Sequence, residues 1–274
     1  MIKMDLLGMP VVNAMLEKFP KCDVTPKLAV IRVGENPDDL AYERGIIKRF
    51  DTFGAEVDVN VLPLDCTQAT LNNLMLKLND DDTVHGILMF RPLPNHLFED
   101  SLKQIISPEK DVDCFGIQNN AAVYYGDPNG YPPCTPQAVI ELLDHYGIEI
   151  SGKKVTIVGR SMVVGKPLAM LLIHRNATVT VCHTRTADLE SECRSADILI
   201  ACAGKAKMIT ENHVRDGQIV IDVGINMLDD KLCGDVDYEK VKDIAAMITP
   251  VPRGVGTVTT SVLLKHTIES AVRR

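Results

Sequence analysis

Short apolar segments alternate with amphipathic ones along most of the chain. The positions of Leu71, Leu74 and Leu78 recur at helical spacing and predict a helix with one apolar face. The continuous apolar segments between such helices are short, as is typical of buried strands. Strands are predicted at 27–34, 56–64, 85–90, 154–159, 178–183, 197–202, 218–224 and 246–251. Helices are predicted at 39–53, at 67–79, from a cap at Asn95 to Ile106, from an N-cap at Thr135 to Tyr146, and from Gly254 onward.

This alternation predicts an α/β fold in which parallel strands are covered by helices. Two runs of alternation predict two α/β lobes. The stretch 107–133 between them is predicted to be rich in loop, and the Pro-, Gly- and Asn-rich stretch from 119 to 136 is the candidate boundary.

Composition narrows the class of protein. A formal net charge of −8 argues against a general nucleic-acid surface, and no apolar run approaches the roughly 20 residues of a membrane span. Asp5, Gly8 and Pro10 interrupt the first segment, which therefore lacks the apolar core of a signal peptide. The eight cysteines form no C-x-x-C pair. They indicate reduced thiols in the cytoplasm, with neither a disulfide framework nor a metal site.

The most specific motif is the segment VTIVGRSMVVG at 155–165, read together with TVTVCHTRT at 178–186. The first segment is typical of a strand that turns at a glycine into a helix whose N-terminus binds phosphate. NAD-specific proteins carry an acid about 20 residues further on, which holds the ribose 2′-hydroxyl. Here Thr184 and Arg185 stand in that region, and they favour a 2′-phosphate and therefore NADP. Gly159 and Gly165 alone also fit an ordinary strand-to-helix turn, since the three-glycine spacing is missing.

Four further segments are weak when each is taken alone. Lys110, Asp111 and Asp113 fit a solvated turn, and 91–94 fits a rigid proline turn. The segment 133–136 could be only a helix start, and 249–256 only a stiff crossing from strand to helix. Each also has a functional interpretation, because ligands bind at the carboxyl ends of parallel strands.

The order of these segments resembles the methylenetetrahydrofolate dehydrogenase/cyclohydrolase family nearly from end to end. The matching segments are VGENPDDLAY at 33–42, GILMFRPLP at 86–94, PEKDVD at 108–113, PPCTP at 132–136, VGRSMVVGKP at 158–167, ATVTVCHTRT at 177–186, ADILIACAGK at 196–205, IDVGIN at 221–226, GDVD at 234–237 and ITPVPRGVGTVT at 248–259.

The resemblance implies a homodimer that oxidises 5,10-methylenetetrahydrofolate by hydride transfer to NADP. It implies a folate-binding catalytic lobe at 1–137 plus 256–274, to which the last helix returns, and a Rossmann-like NAD(P)-binding lobe at 138–255. The catalytic candidates are Tyr42, Asp113 and Lys48. The substrate-binding candidates are Tyr42, Phe90, Arg91, Pro92, Asp113 and Gly254. The cofactor-binding candidates are Gly159, Arg160, Ser161, Gly165, Thr184, Arg185 and Ile225.

The chain departs from the family pattern mainly at the folate end. The family's Y-V-x-x-K pattern has Tyr42, but Ile46 stands where the lysine is expected, and Ile cannot transfer a proton. Lys48 lies about 200° further round the helix and replaces that lysine only if the helical register shifts. The other departures are Phe90 for Gln, Arg91 for Leu, Cys114 and Arg253 for Gly, and Thr257 for Pro.

These departures predict a dehydrogenase with weak or absent cyclohydrolase activity, because hydride transfer needs no protein base whereas hydrolysis does. Three alternatives remain open. The protein is fully bifunctional with a substitute for the lysine, or it is an inactive paralogue that binds NADP or folate, or it accepts a different reduced pterin.

Overall fold

The computed structural model describes residues 3–273 and divides into two compact units. The six-stranded unit comprises the chain up to Glu17 together with Thr135–Thr259, and the three-stranded unit comprises Lys18–Cys134 together with the chain from Thr260 onward. The strands are β1 Met4–Asp5, β2 Lys27–Val33, β3 Glu56–Leu62, β4 Gly86–Met89, β5 Lys154–Val158, β6 Thr178–Cys182, β7 Ile198–Ala201, β8 Ile219–Asp222, β9 Asn226–Leu228, β10 Lys231–Cys233 and β11 Met247–Ile248. The helices are α1 Gly8–Leu16, α2 Pro37–Phe53, α3 Gln68–Asp80, α4 Glu99–Ile105, α5 Ile117–Tyr125, α6 Cys134–His145, α7 Gly165–His174, α8 Leu189–Ser195, α9 Tyr238–Val241 and α10 Val255–Val272, with a 3₁₀ turn at Glu211–His213.

The three-stranded unit is built on a parallel sheet in the order β3-β2-β4. The central strand β2 is buried over Leu28–Arg32, which explains its continuous apolar sequence. An isolated parallel bridge joins Ile87 of β4 to Asp111, so the segment after α4 runs beside the sheet. The carboxyl end of β4 therefore lies near the segment that carries Asp113.

The segment around Lys110 is buried, and the expectation of a solvated turn is wrong for it. Lys110 is 1 % exposed and its Nζ donates hydrogen bonds to the carbonyls of Leu78, Asn79 and Asp81 at 3.0, 2.7 and 2.7 Å. These carbonyls lie at the C-terminus of α3, where a helix leaves its last acceptors without partners. A buried ammonium thus satisfies the end of a helix that contributes to the core.

The stretch 107–133, predicted to be rich in loop, also contains the helix α5, which was not predicted. This helix has weak amphipathic character, and only Asn119 and Val123 on it are buried. Asn119 Nδ2 donates to the Pro108 and Asp111 carbonyls, both at 3.0 Å, so polar contacts rather than an apolar stripe hold the helix in place. Sequence periodicity does not reveal such a helix.

Two predicted caps also differ from the structure. The helix expected to start from Asn95 begins at Glu99, with Phe98 as its N-cap. The helix expected to have Thr135 as its N-cap and Pro136 as its first residue begins two residues earlier, at Cys134. Both starts follow proline-containing segments, where sequence signals locate helix ends only approximately.

The six-stranded unit contains a parallel sheet in the order β1-β11-β8-β7-β5-β6. The predicted α/β fold is therefore confirmed. In register, Val158 at the end of β5 pairs with Cys182 of β6 on one side and with Ala201 of β7 on the other. The chain proceeds from β5 to β6 at the edge and then returns past β5 to β7. Such a switch in strand order leaves a ligand crevice at the carboxyl ends of the strands.

The beginning of the chain lies in a different unit from the one expected. β1 pairs with β11, and the described residues up to Glu17 belong to the six-stranded unit, whereas the sequence analysis assigned 1–137 to the substrate lobe. A two-residue strand is too short to be detected by periodicity. From Thr260 onward, α10 belongs to the three-stranded unit. In the described part of the chain, no helix has the length and apolar character needed to cross a membrane.

Candidate functional site

The turn after β5 is built from two glycines that leave no room for side chains. Gly159 has φ +134°, and a Cβ on it would lie 2.3 Å from the Cys202 carbonyl oxygen. A Cβ on Gly165 would lie 2.1 Å from the Gly159 carbonyl oxygen. This close backbone approach is the property that dinucleotide-binding turns require. The turn therefore requires glycine at both positions.

Arg160 and Ser161 follow the first glycine and are exposed. The Ser161 hydroxyl accepts a hydrogen bond from the Val164 N–H at 3.1 Å, and the Ser161 carbonyl accepts one from the Lys166 N–H at 3.0 Å. These bonds shape the turn that leads into α7. The N-terminus of this ten-residue helix can attract a phosphate, since its first N–H groups carry partial positive charge.

Thr184 and Arg185 lie in the turn that follows the neighbouring strand β6, and both are exposed. His183 organises this turn: its N–H donates to Thr186 Oγ1 at 2.9 Å, and its Nδ1 accepts from the Arg185 N–H at 3.1 Å. No carboxylate occurs from 182 to 186. The ends of β5 and β6 thus present guanidinium and hydroxyl groups without an acid, which suits a 2′-phosphate.

Ile225 and Gly254 line one cavity of about 190 Å³ in the six-stranded unit. Ile225 is 62 % exposed, and Gly254 is buried where a Cβ would lie 2.5 Å from the Pro250 carbonyl oxygen. Gly254, a substrate-binding candidate from the sequence, thus shares this cavity with Ile225.

Two buried aspartates shape the loops around this cavity, and the sequence analysis gave them no role. Asp235 accepts hydrogen bonds from the N–H groups of residues 203–205 at 2.6–2.9 Å. Asp222 accepts from the N–H groups of Asp235 and Val236 at 2.9 and 3.0 Å. Burial, with a smaller contribution from the charge of Asp235, raises the pKa of Asp222 to about 7. Their presence in IDVGIN and GDVD was the only signal in the sequence.

The folate-side candidates cluster in the three-stranded unit. The rings of Tyr42 and Phe90 lie 5.7 Å apart, and Arg91 Nη2 lies 4.0 Å from Asp113 Oδ2. The guanidinium of Arg91 also lies over the Phe115 ring at 5.3 Å. The structure thus brings four predicted residues together. Pro92 follows Arg91 through a cis peptide bond and is exposed.

Asp113 carries the negative charge of this cluster. Its Oδ1 accepts a hydrogen bond from the Cys134 N–H at 2.9 Å, which fixes the carboxylate against the start of α6. Burial, followed by the charge of Asp113 and by Cys134, raises the pKa of Tyr42 well above its ordinary value, although the residue keeps 36 % exposure. The Tyr42 phenol is thus a neutral hydrogen-bonding group at neutral pH.

Cys134 and His266 contact Asp113 or its neighbour Val112, and neither was predicted from the sequence as a site residue. The Cys134 thiol donates to the Val112 carbonyl at 3.3 Å, and His266 Nδ1 lies 2.9 Å from the same oxygen. Burial raises the pKa of the Cys134 thiol well above its ordinary value. Cys134 therefore acts here as a packed hydrogen-bond donor, and a reactive thiolate is not favoured.

Ile46 and Lys48 occupy different surroundings on α2. Ile46 is 0 % exposed, whereas Lys48 is exposed. The helix is continuous from Pro37 to Phe53, so no register shift turns Lys48 towards Tyr42. The structure brings Tyr42 and Asp113 together, but it does not bring Lys48 to them. Among the described residues, no three His, Cys, Asp or Glu side chains are grouped so as to hold a metal ion.

Two of the departures from the family pattern occupy backbone positions that suit glycine. Cys114 has φ +57° and Arg253 has φ +89°. A side chain in this left-handed region costs about 1–2 kcal/mol relative to the right-handed region. Both residues thus occupy a conformation that glycine, the residue of the family pattern, adopts without strain.

Relief of this strain should stabilise the protein. We expect Arg253→Gly to raise the free energy of unfolding by about 0.5–1 kcal/mol, because the strain removed exceeds the added flexibility of the unfolded chain. Arg253 is exposed, so little packing is lost. Urea unfolding measures the change, and Arg253→Ala, which keeps the Cβ, should show no gain. Equal stability of the two variants would contradict the strain argument.

Comparison with known proteins shows that both parts of the chain match domains of one protein family. Residues 10–113 match the catalytic domain of tetrahydrofolate dehydrogenase/cyclohydrolase, and residues 133–274 match its NAD(P)-binding domain. The bifunctional protein FolD of Clostridioides difficile is 53 % identical over 90 % of this chain and 86 % of that protein.

Two solved structures of such enzymes are also similar to this chain. The bifunctional enzyme FolD-methylenetetrahydrofolate dehydrogenase/cyclohydrolase from Campylobacter jejuni is 40 % identical, with a TM-score of 0.93 over 97 % of this chain and 96 % of that one. The Trypanosoma brucei N5,N10-methylenetetrahydrofolate dehydrogenase-cyclohydrolase, complexed with NADP cofactor and inhibitor, is 33 % identical, with a TM-score of 0.89 over 99 % of this chain and 97 % of that one.

Proposed function

Because the chain belongs to the tetrahydrofolate dehydrogenase/cyclohydrolase family, we propose that its folate substrate binds at the Asp113 cluster and its cofactor at the turn between Gly159 and Gly165. The protein is an oxidoreductase of one-carbon metabolism: it oxidises 5,10-methylenetetrahydrofolate to the methenyl form with NADP as the hydride acceptor. The observation that carries the assignment of the folate site is the carboxylate of Asp113 beside Tyr42. The three-stranded unit is then the folate-binding domain and the six-stranded unit the NADP-binding domain.

Asp113 and Tyr42 have distinct roles in this proposal. The pterin ring presents N–H donors, and the Asp113 carboxylate accepts them in charge-assisted hydrogen bonds. The neutral Tyr42 phenol lines the same site next to the Phe90 ring. Hydride transfer requires orientation more than proton transfer, because the nicotinamide supplies the chemistry and the protein aligns the two reactants. The residues present are sufficient for that task.

The cofactor site fits NADP in both shape and charge. Gly159 and Gly165 let the strand, the turn and the start of α7 approach one another closely, so that the backbone N–H groups of the turn can face a pyrophosphate, and Ser161 lies at the same turn. Arg160 and Thr184 would hold the 2′-phosphate, with Arg185 beside them. Ile225 would border the nicotinamide in its cavity.

Arg160 should determine the preference for NADP over NAD. We expect Arg160→Ala to raise the KM for NADP about tenfold, the lower end of the range for a charged hydrogen bond, because the residue is exposed. The KM for NAD should change less than about twofold, since NAD lacks the 2′-phosphate. Steady-state kinetics with both cofactors test this, with Arg175→Ala, a surface arginine paired to Asp144, as the matched control. Equal losses for both cofactors would remove Arg160 from the phosphate site.

We further propose that the cyclohydrolase reaction is weak in this protein. Hydrolysis of the methenyl product needs a group that moves protons, and Ile46 stands at the family's lysine position. A second candidate is the fully bifunctional enzyme, which the names of the relatives favour: the Campylobacter jejuni protein is described as both dehydrogenase and cyclohydrolase.

The homodimer and the cytoplasmic location belong to the same proposal. The hairpin of β9 and β10 carries three exposed apolar side chains, Met227, Leu228 and Leu232, and such a patch is typical of a subunit interface. All eight cysteines are free thiols, which suits a reducing compartment.

An assay of the purified protein tests the function as a whole. With 5,10-methylenetetrahydrofolate and NADP we expect stoichiometric formation of NADPH and of the methenyl chromophore. Absence of NADPH in the presence of both ligands would overturn the assignment of these sites as a working dehydrogenase.

A further inference from the structure

Arg91 is an unusual neighbour for the carboxylate that is proposed to anchor the pterin. The family pattern that the chain resembles has leucine at this position, so the cation is a departure from that pattern. Its Nη2 lies 4.0 Å from Asp113 Oδ2, which is close enough for an ion pair but too long for a hydrogen bond. Among the described residues, none accepts a hydrogen bond from this guanidinium. Both charged groups therefore retain hydrogen-bonding capacity towards a ligand.

The surroundings hold this pair in place without closing it off. The Arg91 guanidinium lies over the Phe115 ring at 5.3 Å, and Asp113 is held by the Cys134 N–H at 2.9 Å. The side chains of Arg91 and Asp113 are 23 % and 24 % exposed. A planar donor group and a planar acceptor group thus stand side by side, and each is accessible from solvent.

One edge of the pterin ring has the complementary pattern. Its 2-amino group and its N3–H are adjacent donors, and the 4-oxo group next to N3 is an acceptor. A carboxylate can accept both donors, and a neighbouring guanidinium can donate to the oxygen. We propose that Arg91 recognises the 4-oxo group of the folate substrate while Asp113 recognises the two donors, so that Arg91 is a specificity-determining residue. This inference rests on the proposed folate site.

The alternative roles of Arg91 account for less of the geometry. A guanidinium has only hydrogen-bond donors and no acceptor, so Arg91 cannot replace the missing lysine as a base. A purely structural partner for Asp113 would be expected at hydrogen-bond distance, and the observed gap of 4.0 Å leaves that contact unmade. A ligand oxygen that accepts from Arg91 uses donor capacity that the protein itself leaves unused.

The test compares two ligands that differ at a single atom. Tetrahydrofolate and its 4-thioxo counterpart share the 2-amino and N3–H donors, but sulfur is a weak acceptor. Calorimetry should show that the native protein binds the 4-oxo form about tenfold more tightly, at the lower end of the range for a charged hydrogen bond because Arg91 is partly exposed. Arg91→Leu, which restores the family residue, should bring that ratio close to one.

The controls separate recognition of the oxygen from general effects. Lys103 Nζ lies 5.9 Å from the centre of the same Phe115 ring but pairs with Glu99 at 3.0 Å, so Lys103→Leu removes a cation from that ring without affecting Asp113. It should leave the 4-oxo/4-thioxo ratio unchanged. Arg91→Lys, which keeps a charged donor, should retain part of the preference and covers the case in which the leucine variant fails to fold.

The outcomes distinguish this inference from the proposed function. If Arg91→Leu leaves the 4-oxo/4-thioxo affinity ratio at its native value, even where both ligands bind equally more weakly, Arg91 acts only by holding Asp113, and the inference is overturned. If the native protein binds neither pteridine, the proposed folate site itself is wrong, whatever the role of Arg91.

Discussion

The native protein is expected to hydrolyse methenyltetrahydrofolate at close to the uncatalysed rate while it turns over the dehydrogenase reaction. A positioned acid or base contributes about 10²–10⁴-fold to such a step. Here Ile46 is completely buried at the position of that group, and the continuous helix α2 leaves Lys48 exposed and away from Tyr42. The measurement is the loss of methenyl absorbance after correction for spontaneous hydrolysis.

Variants of Lys48 and Ile46 on α2 test which side chain is responsible for any residual hydrolysis. Lys48→Ala should leave the rate unchanged, because its side chain is remote from the cluster. Ile46→Lys should restore part of the hydrolysis, and more so together with Phe90→Gln, since an ammonium beside a buried aromatic ring is poorly solvated. Rapid hydrolysis by the native protein would refute the monofunctional proposal. Its loss in Lys48→Ala would identify Lys48 as the working base.

The second large effect concerns Asp113. We expect Asp113→Ala to weaken folate binding about 10- to 150-fold, because it removes one partner of a charge-assisted hydrogen bond worth about 1.5–3 kcal/mol. NADP binding should remain nearly unchanged, since the residues proposed for NADP belong to the six-stranded unit. Calorimetric titration with each ligand separates the two effects.

The role of Asp113 in local structure requires its own control. The carboxylate also accepts the Cys134 N–H, so removal of the side chain could disturb the start of α6. Asp113→Asn keeps an acceptor oxygen for this contact but loses the charge, and it too should bind folate weakly. Asp100→Ala alters a 93 % exposed acid of the same unit and should have no effect. Unchanged folate affinity in both Asp113 variants would assign Asp113 a structural role alone.

The altered positions of the folate site form a consistent set. Phe90 contacts Tyr42, Arg91 faces Asp113, and Cys114 follows Asp113 in the left-handed conformation. All three adjoin the two residues that the family pattern retains. In the proposed folate site, the altered residues thus surround Asp113 and Tyr42 without replacing them, which agrees with the proposal that folate binding is kept and hydrolysis is weakened.

The sequence by itself determined the elements that local patterns encode. Buried parallel strands require continuous apolar segments and amphipathic helices require apolar residues at helical spacing, so most strands and the helices α2 and α3 were predicted from periodicity alone. The glycine turn of 159–165 was also recognisable, because its backbone tolerates no side chain at two defined positions. The absence of an acid at 182–186 could likewise be read directly from the sequence.

Only the tertiary structure decided features that depend on distant partners. Lys110 is buried because carbonyls about 30 residues away satisfy its ammonium, and α5 is held by polar contacts of Asn119 rather than by an apolar stripe. The pairing of Arg91 with Asp113 joins the end of a strand to a loop 22 residues later. Periodicity reports which face of an element is apolar, whereas such contacts depend on where the chain folds back, and that is set by the packing of the whole unit.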